Sequence, residues 1–252
     1  MRRGIMRSAH AVLTTACIAH AVATQQRVFV VGASRGIGLE LARAFAVNAS
    51  LDSIVHATRR TPLTSNPIPL VTWHTLDVTN SSQVSALARS NIAQHSSIDL
   101  LIHVAGVNKG TLERQLEVNA VAPFRVVDAL MPAVLRSQSK RICIITSDRG
   151  TRYYVQRFQR RFKKGCKDVA YCAYAVSKGA AHKKFREVEP QWRSKGVTAI
   201  ALHPGGVATD MNKRQGPITA EMRAPDIARV CSTASSREAG KLLNWKHEVM
   251  KW

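Results

Sequence analysis

The sequence predicts an α/β fold: a single doubly wound parallel sheet of Rossmann type, with helices on both faces. Three observations carry this. Short apolar runs alternate with amphipathic stretches from residue 27 to about 203, the pattern of strands joined by crossover helices. The first run ends in the glycine-rich turn Gly32-Ala-Ser-Arg-Gly36-Ile-Gly38, which precedes a helical stretch. No internal repeat and no linker divides the 252 residues, a length that suits one large α/β domain.

The elements follow in order. Residues 27–31, Arg-Val-Phe-Val-Val, are continuously apolar after the arginine and close on glycine, as a strand buried on both faces does. Residues 37–47 form a helix with its apolar face on Ile37, Leu41 and Phe45. Residues 53–57 are a second strand and 70–74 a third, followed by Leu76-Asp77-Val78-Thr79. Asn80 or Ser81 caps a helix running to Ala93. Residues 98–104 form a fourth strand; 112–135 are helical, interrupted at Pro123; 141–146 form a fifth strand. Residues 170–193 are a helix disturbed near its end by Pro190, and 197–202 form a sixth strand. Residues 242–245 add a short seventh. Right-handed crossovers then place the ligand crevice at the carboxyl ends of the strands.

Residues 1–25 stand apart from the domain at 26–252. They hold Arg2, Arg3 and Arg7 and no acid, and the first acidic residue of the chain is Glu40. An organellar transit peptide of mitochondrial type and a plain N-terminal extension both fit this composition, so the expected location is cytoplasmic or organellar. No run of eighteen apolar residues is present, and no transmembrane helix is expected. The net charge of +21 fits either an anionic partner or a generally basic composition. The five cysteines form neither Cys-x-x-Cys nor a zinc spacing, which implies a reduced compartment without structural disulfides and no metal site. Residues 151–167 are a basic insertion: seven Lys or Arg interleaved with Tyr153, Tyr154, Phe158 and Phe162, and no acid. Such a mixture can contact nucleic acid or anionic membrane, but a solvated surface loop is the better reading.

The chemistry concentrates in few residues. Glycines 32, 36 and 38 allow close backbone approach to a pyrophosphate, and the following helix offers unpaired N–H groups. Tyr174 and Lys178 are four apart on one helix and share a face. An ammonium beside a phenol favours phenolate, making Tyr174 a candidate general acid/base. After the second strand stand Thr58-Arg59-Arg60, where an acid would accept from the ribose 2′-hydroxyl of NAD. Guanidinium groups there, with Arg35 inside the glycine turn, suit a 2′-phosphate. NADP(H) is therefore the expected cofactor, with Arg59 preferred over Arg60.

The glycine turn, Asp77, Ala105-Gly106, Asn119, Ser147, Tyr174, Lys178 and Pro204-Gly205 stand in the order and contexts of the short-chain dehydrogenase/reductases, which the chain resembles from about residue 26 to its end. The stretches 203–211 and 240–245 look most like the C-factor and sniffer-like carbonyl reductases. The resemblance implies an oxidoreductase that interconverts a small-molecule carbonyl compound and its alcohol by hydride transfer. Tyr174 would be the acid, Lys178 would lower its pKa and hold the nicotinamide ribose, Ser147 would bind the substrate carbonyl, and Asn119 would support a water. Cofactor contacts would fall on Gly32, Ser34, Arg35, Gly36, Ile37, Gly38, Arg59, Asp77, Val78, Ala105, Gly106, Tyr174, Lys178, Pro204, Gly205, Val207 and Thr209. A lid over residues 211–237, with Met211, Met222 and Pro217 as an apolar wall, would cover the substrate. Homo-oligomers are common in the family. The chain departs from the family at His103-Val104, where Asn-Asn is usual, in a short 106–119 stretch, and in the basic insertion between Ser147 and Tyr174. These departures leave a second reading: a non-catalytic dinucleotide-binding sensor or scaffold of the same fold.

Overall fold

A computed structural model describes residues 25–47, 53–62, 65–158 and 169–252. Residues 1–24, and with them the transit-peptide expectation, lie outside the described residues, as does 159–168 of the basic insertion.

Strands β1 (Gln26–Val31), β2 (Ser53–Arg59), β3 (Val71–Thr75), β4 (Leu100–His103), β5 (Arg141–Ile145), β6 (Thr198–His203), β9 (Leu242–Asn244) and β10 (Val249–Met250) form one sheet, with β7 (Val207–Ala208) and β8 (Ile218–Thr219) paired separately. The main sheet runs β10-β9-β6-β5-β4-β1-β2-β3. Every pairing in it is parallel except β10 on β9. The strand order reverses between β1 and β4, which opens a crevice above their carboxyl ends.

The period-2 alternation of β1 splits its side chains between two cores. Phe29 and Val31 join a cluster with the helices α2 (Ser81–Ala88), α3 (Asn91–His95), α5 (Ala122–Arg136) and α7 (Val169–Arg193). Val28 and Val30 join one with α1 (Gly36–Val47) and α8 (Ala220–Thr233). Burial on both faces explains the continuous apolar runs. On α1 the buried stripe is Gly38, Leu41, Ala42 and Phe45; Ile37, expected on that face, is only partly buried. The run 112–136 is long and apolar enough to cross a membrane, but 67% of its most apolar 18-residue window is buried inside the protein, as befits a core helix.

Three local differences from the sequence reading have identifiable causes. The helix expected to run to Ala93 ends after Ala88, because Ser90 caps a new one: its Oγ accepts from Ala93 N at 3.4 Å and donates to Leu87 O at 2.6 Å. Pro123 does not interrupt a helix. It sits in the first turn of α5, where its missing N–H costs nothing, directly after a π-helical turn at Glu117–Val121 that joins α4 (Leu112–Leu116) to α5. The reading without disulfides is corrected at Cys172, which is disulfide-bonded. Cys143 and Cys231 are free thiols in the core.

Candidate functional site

A cavity of about 700 Å³ lies over the carboxyl ends of β1 to β6, a volume typical of ligand pockets. Its first half is the glycine turn. Gly32 N donates to Thr58 Oγ1 at 3.0 Å, and Ala33 N to Thr58 O at 2.8 Å, which ties the turn to the end of β2. A Cβ on Gly38 would lie 2.2 Å from Gly32 O, so only glycine lets α1 start this close to β1. The first turn of α1 carries no acid, leaving its positive end available to an anion.

Arg35, Arg59 and Arg60 line this half. The buried Nε of Arg59 has no partner, while its NH2 reaches Thr61 Oγ1 at 3.5 Å. An unsatisfied guanidinium nitrogen beside a glycine cradle suits a phosphate. Arg35 NH1 lies 3.9 Å from Asp210 Oδ2 across the cavity mouth. Asp77 accepts from Thr79 N at 2.9 Å and Thr79 Oγ1 at 2.7 Å. Burial pushes its carboxyl up, but these bonds and the charges of Arg114 and Arg60 outweigh it and hold the carboxyl below its ordinary value.

The other half is built where β5 ends and α7 begins its exposed face. Tyr174 and Lys178 sit on α7, and Ser147 on the loop after β5. Ser147 and Tyr174 both line the cavity, and the Ser147 hydroxyl is near enough to act on the Tyr174 phenol, so the chain returns from the basic insertion with both side chains in one site. Close packing secures this return. Gly150 lies flat against α7, where a Cβ would come within 2.5 Å of Lys178 C and 2.6 Å of Gly179 N. Just before Ser147, Thr146 Oγ1 is 2.7 Å from His182 Nε2, and both side chains are buried. Just after it, Thr151 Oγ1 donates to Asp148 O at 2.7 Å and accepts from Tyr154 N at 3.0 Å, starting α6 (Arg152–Phe158).

The electrostatics of the pair correct the sequence argument. Burial raises the Tyr174 phenol above its ordinary value; the Ser147 hydrogen bond and the Arg149 charge pull it down, and the Asp148 charge pushes it up. Lys178 is not among the charges that lower it. Its Nζ lies 5.8 Å from the ring centroid of Tyr174 and donates to Ile145 O at 3.4 Å, so the ammonium stands beside the ring and not at the hydroxyl. Burial brings Lys178 down to about 8. Beneath it, His103 is held at about 3 by burial and then by the Lys178 charge; it is neutral, and its Nε2 is unpartnered.

Of the catalytic and cofactor-binding residues singled out from sequence, all line the cavity except Asn119. Asn119 lies behind it, buried in the π-helical turn. It accepts from Val107 N at 2.8 Å and donates to Val107 O at 2.7 Å and Ser177 Oγ at 2.9 Å. It thus ties the loop after β4 to α7, and the extra residue of the π turn aims it there. The substrate-side expectations are corrected. Residues 220–233 are no lid: α8 buries Ala224, Ile227, Ala228 and Val230 against α1. Met222 is 65% exposed, and Pro217 packs on Gly206 outside the cavity. Only Met211 of the three lines it.

Beside apolar residues such as Val104, Val107 and Ile145, the remaining wall carries the polar side chains of Asn108, Asp148, Arg149, Tyr154, His203 and Asn212. None of these was given a site role from sequence, and Tyr154 was noted only as an aromatic of the basic insertion. Asp148 and Arg149 directly follow Ser147, and that adjacency was the one available signal. Asn108 is placed by a bond from Nδ2 to Met211 O at 2.7 Å, between loops far apart in the chain. Among the described residues no cluster of His, Cys, Asp and Glu is set to hold a metal.

The sequence profile of the short chain dehydrogenase family matches residues 26–160. A dehydrogenase of Rhodococcus sp. (strain AD45) described as acting on 1-hydroxy-2-glutathionyl-2-methyl-3-butene is 27% identical over 190 residues, covering 70% of this chain and 78% of that protein. C-signal of Myxococcus xanthus is 25% identical over 165 residues, 62% of this chain and 93% of its own. Among solved structures, NADPH-bound carbonyl reductase from chicken fatty liver superposes with a TM-score of 0.77 at 25% identity, covering 90% of this chain and 99% of that one. The carbonyl reductase Sniffer of D. melanogaster gives 0.75 at 19% identity, over 90% and 100%, a likeness of fold.

Proposed function

The chain belongs to the short chain dehydrogenase family, and on that premise we propose that this oxidoreductase is an NADP(H)-dependent carbonyl reductase or alcohol dehydrogenase. The observation that carries the reading is that Tyr174, Ser147 and Lys178 line the same cavity as the arginine-flanked glycine turn. The glycine turn and the amino end of α1 would hold the pyrophosphate. Arg59, with its unsatisfied Nε, would hold the 2′-phosphate with help from Arg35. Asp77 and Val78 would border the adenine, and Lys178 would hold the nicotinamide ribose. The NADPH-bound chicken relative supports this choice of cofactor.

When bound, the reduced nicotinamide supplies a hydride to the carbonyl carbon. Ser147 orients the carbonyl oxygen and stabilises its developing charge. Tyr174 donates its phenolic proton to that oxygen. A phenol held above its ordinary value is protonated at neutral pH, the form that carbonyl reduction needs. Asn119 fixes the loop after β4, where Ala105 and Gly106 border the cofactor, and would support a water behind Lys178.

The test is NADPH oxidation by the purified protein over a panel of aldehydes, ketones and quinones. Turnover that vanishes in Tyr174→Phe, with NADPH affinity kept, is the expected result. Tight NADPH binding without turnover of any panel member would reject the enzyme in favour of a dinucleotide-binding sensor. The substitution of His103-Val104 for the family's usual pair is the feature that favours that second reading.

A further inference from the structure

Asp148 lies in the cavity beside the carbonyl-binding position, and none of the steps above uses it. It directly follows Ser147, whose Oγ donates to Asp148 Oδ1 at 3.3 Å. His203 Nε2 lies 3.8 Å from the same oxygen, while His203 Nδ1 accepts from Asp148 N at 3.3 Å. His203 is held below its ordinary value, chiefly by burial, so it stands neutral at physiological pH and leaves the carboxylate without a cationic partner on that side. The Asp148 side chain is 35% exposed and borders the cavity. A carboxylate offers acceptors only.

The neighbouring charge decides what kind of donor the site selects. Arg149 borders the same cavity, its guanidinium carbon 5.9 Å from the Tyr174 ring centroid. Beside Ser147, the Asp148 carboxylate and the Arg149 guanidinium offset each other. Net positive charge on the substrate is therefore not what the site rewards. What remains is local: an acceptor oxygen side by side with the serine hydroxyl that would receive the substrate carbonyl. A hydroxyl on the carbon next to a carbonyl presents the matching pair, an acceptor oxygen for Ser147 and an O–H for Asp148, at a similar spacing. A carboxylate on that carbon would instead set two like charges together. Asn108, Tyr154 and Asn212 add polar groups to the wall, available to a hydroxylated compound.

We propose that the substrates are neutral α-hydroxy ketones or aldehydes, with vicinal diols as the corresponding alcohols, and that Asp148 selects them by accepting a hydrogen bond from the α-hydroxyl. The inference rests on the carbonyl-reductase reading above. In the reduction the carbonyl carbon gains the hydride and its oxygen gains the Tyr174 proton. The α-hydroxyl keeps its own proton, and Asp148 stays a carboxylate throughout.

The experiment compares hydroxyacetone, butanone and pyruvate as NADPH-linked substrates of the wild type, Asp148→Asn and Asp148→Ala, with circular dichroism as the check on folding. A hydrogen bond to a charged group that the analogue cannot make predicts a preference for hydroxyacetone over butanone of about tenfold or more in kcat/KM. Pyruvate is expected to be the poorest of the three. In Asp148→Asn and Asp148→Ala the hydroxyacetone-to-butanone ratio falls toward one. An unchanged ratio in folded variants, or pyruvate as the preferred wild-type substrate, overturns the proposal. A second readout needs no turnover: ligand-observed NMR of propane-1,2-diol and propan-2-ol with the protein and NADP⁺. Tighter binding of the diol, lost in Asp148→Asn, is expected, and equal binding of the two alcohols overturns the assignment. Failure of all three ketones and of the wider panel would instead remove the carbonyl-reductase reading, an outcome distinct from turnover that is indifferent to Asp148.

Discussion

Gly150→Ala is the sharpest test of how this site is assembled. The new Cβ would stand 2.5 Å from Lys178 C, 2.6 Å from Gly179 N and 2.8 Å from Lys178 O. All three are backbone atoms of a packed helix and cannot swing aside. Ordinary contact requires about 3.5 Å, so the loop carrying Ser147 has to retreat from α7 by about 1 Å. Misplacement of a reacting group by that distance costs on the order of 10²-fold in rate, and overpacking costs about 1–3 kcal/mol of stability. Tyr174, Lys178 and the glycine turn keep their places, so NADPH affinity is expected to hold. The companion Gly179→Ala puts a Cβ only 3.4 Å from Gly150 O, which is ordinary contact, and alanine favours the helix. It should retain most activity and lose no stability. The assays are steady-state reduction, calorimetric titration of NADPH and thermal melts. Gly150→Ala with wild-type kcat, or Gly179→Ala as damaging as Gly150→Ala, would refute the argument that this backbone contact holds Ser147 opposite Tyr174.

Three further outcomes follow from the same geometry. Arg59→Ala should weaken NADPH binding about tenfold or more while leaving NADH binding nearly unchanged, because a charge-assisted contact is lost; equal losses for the two cofactors in calorimetry would remove Arg59 from the 2′-phosphate. Acid should destabilise the fold steeply: burial holds His56 at about 4 and His103 and His182 at about 3. Below the ordinary histidine value of 6.5 the unfolded chain therefore binds protons that the folded one refuses. Stability is full above about pH 6.5 and falls as pH drops toward 3–4, by roughly 3 kcal/mol per pH unit from His103 and His182, with a smaller, solvent-screened share from the half-buried His56. Urea midpoints at pH 7, 6 and 5 measure it, and identical midpoints at 7 and 5 would contradict it. Asn119→Leu should cost about 2 kcal/mol or more, since it strands the Val107 N–H and C=O and the Ser177 hydroxyl in a buried place; a melting temperature equal to wild type would show that these bonds carry no weight.

Much of the molecule was legible in the chain. Runs such as Val28 to Val31, apolar at every position, can be buried only with a layer on each side, and that fixed the α/β class. The glycine turn was legible because Gly38 leaves no room for a Cβ beside Gly32 O. Four-residue spacing placed Tyr174 and Lys178 on one face of α7, and Thr58-Arg59-Arg60 after β2 marked the arginine end of the cavity. These are local facts: periodicity, sterics and helical pitch act within a few residues.

What the tertiary structure alone decided involves residues distant in sequence. Spacing brought Lys178 near Tyr174 but did not tell that its ammonium would point to Ile145 O, nor that burial would raise the phenol instead of lowering it. The polar groups Asn108, Asp148, His203 and Asn212 come from the end of β6 and from loops after β4, β5 and β7, and α8, expected as a lid, was claimed by the apolar face of α1. Pattern along the chain specifies which face of an element is apolar. Which groups meet across the crevice, and whether water or protein surrounds them, is set only when the elements pack, because desolvation and charge–charge terms depend on distances in space.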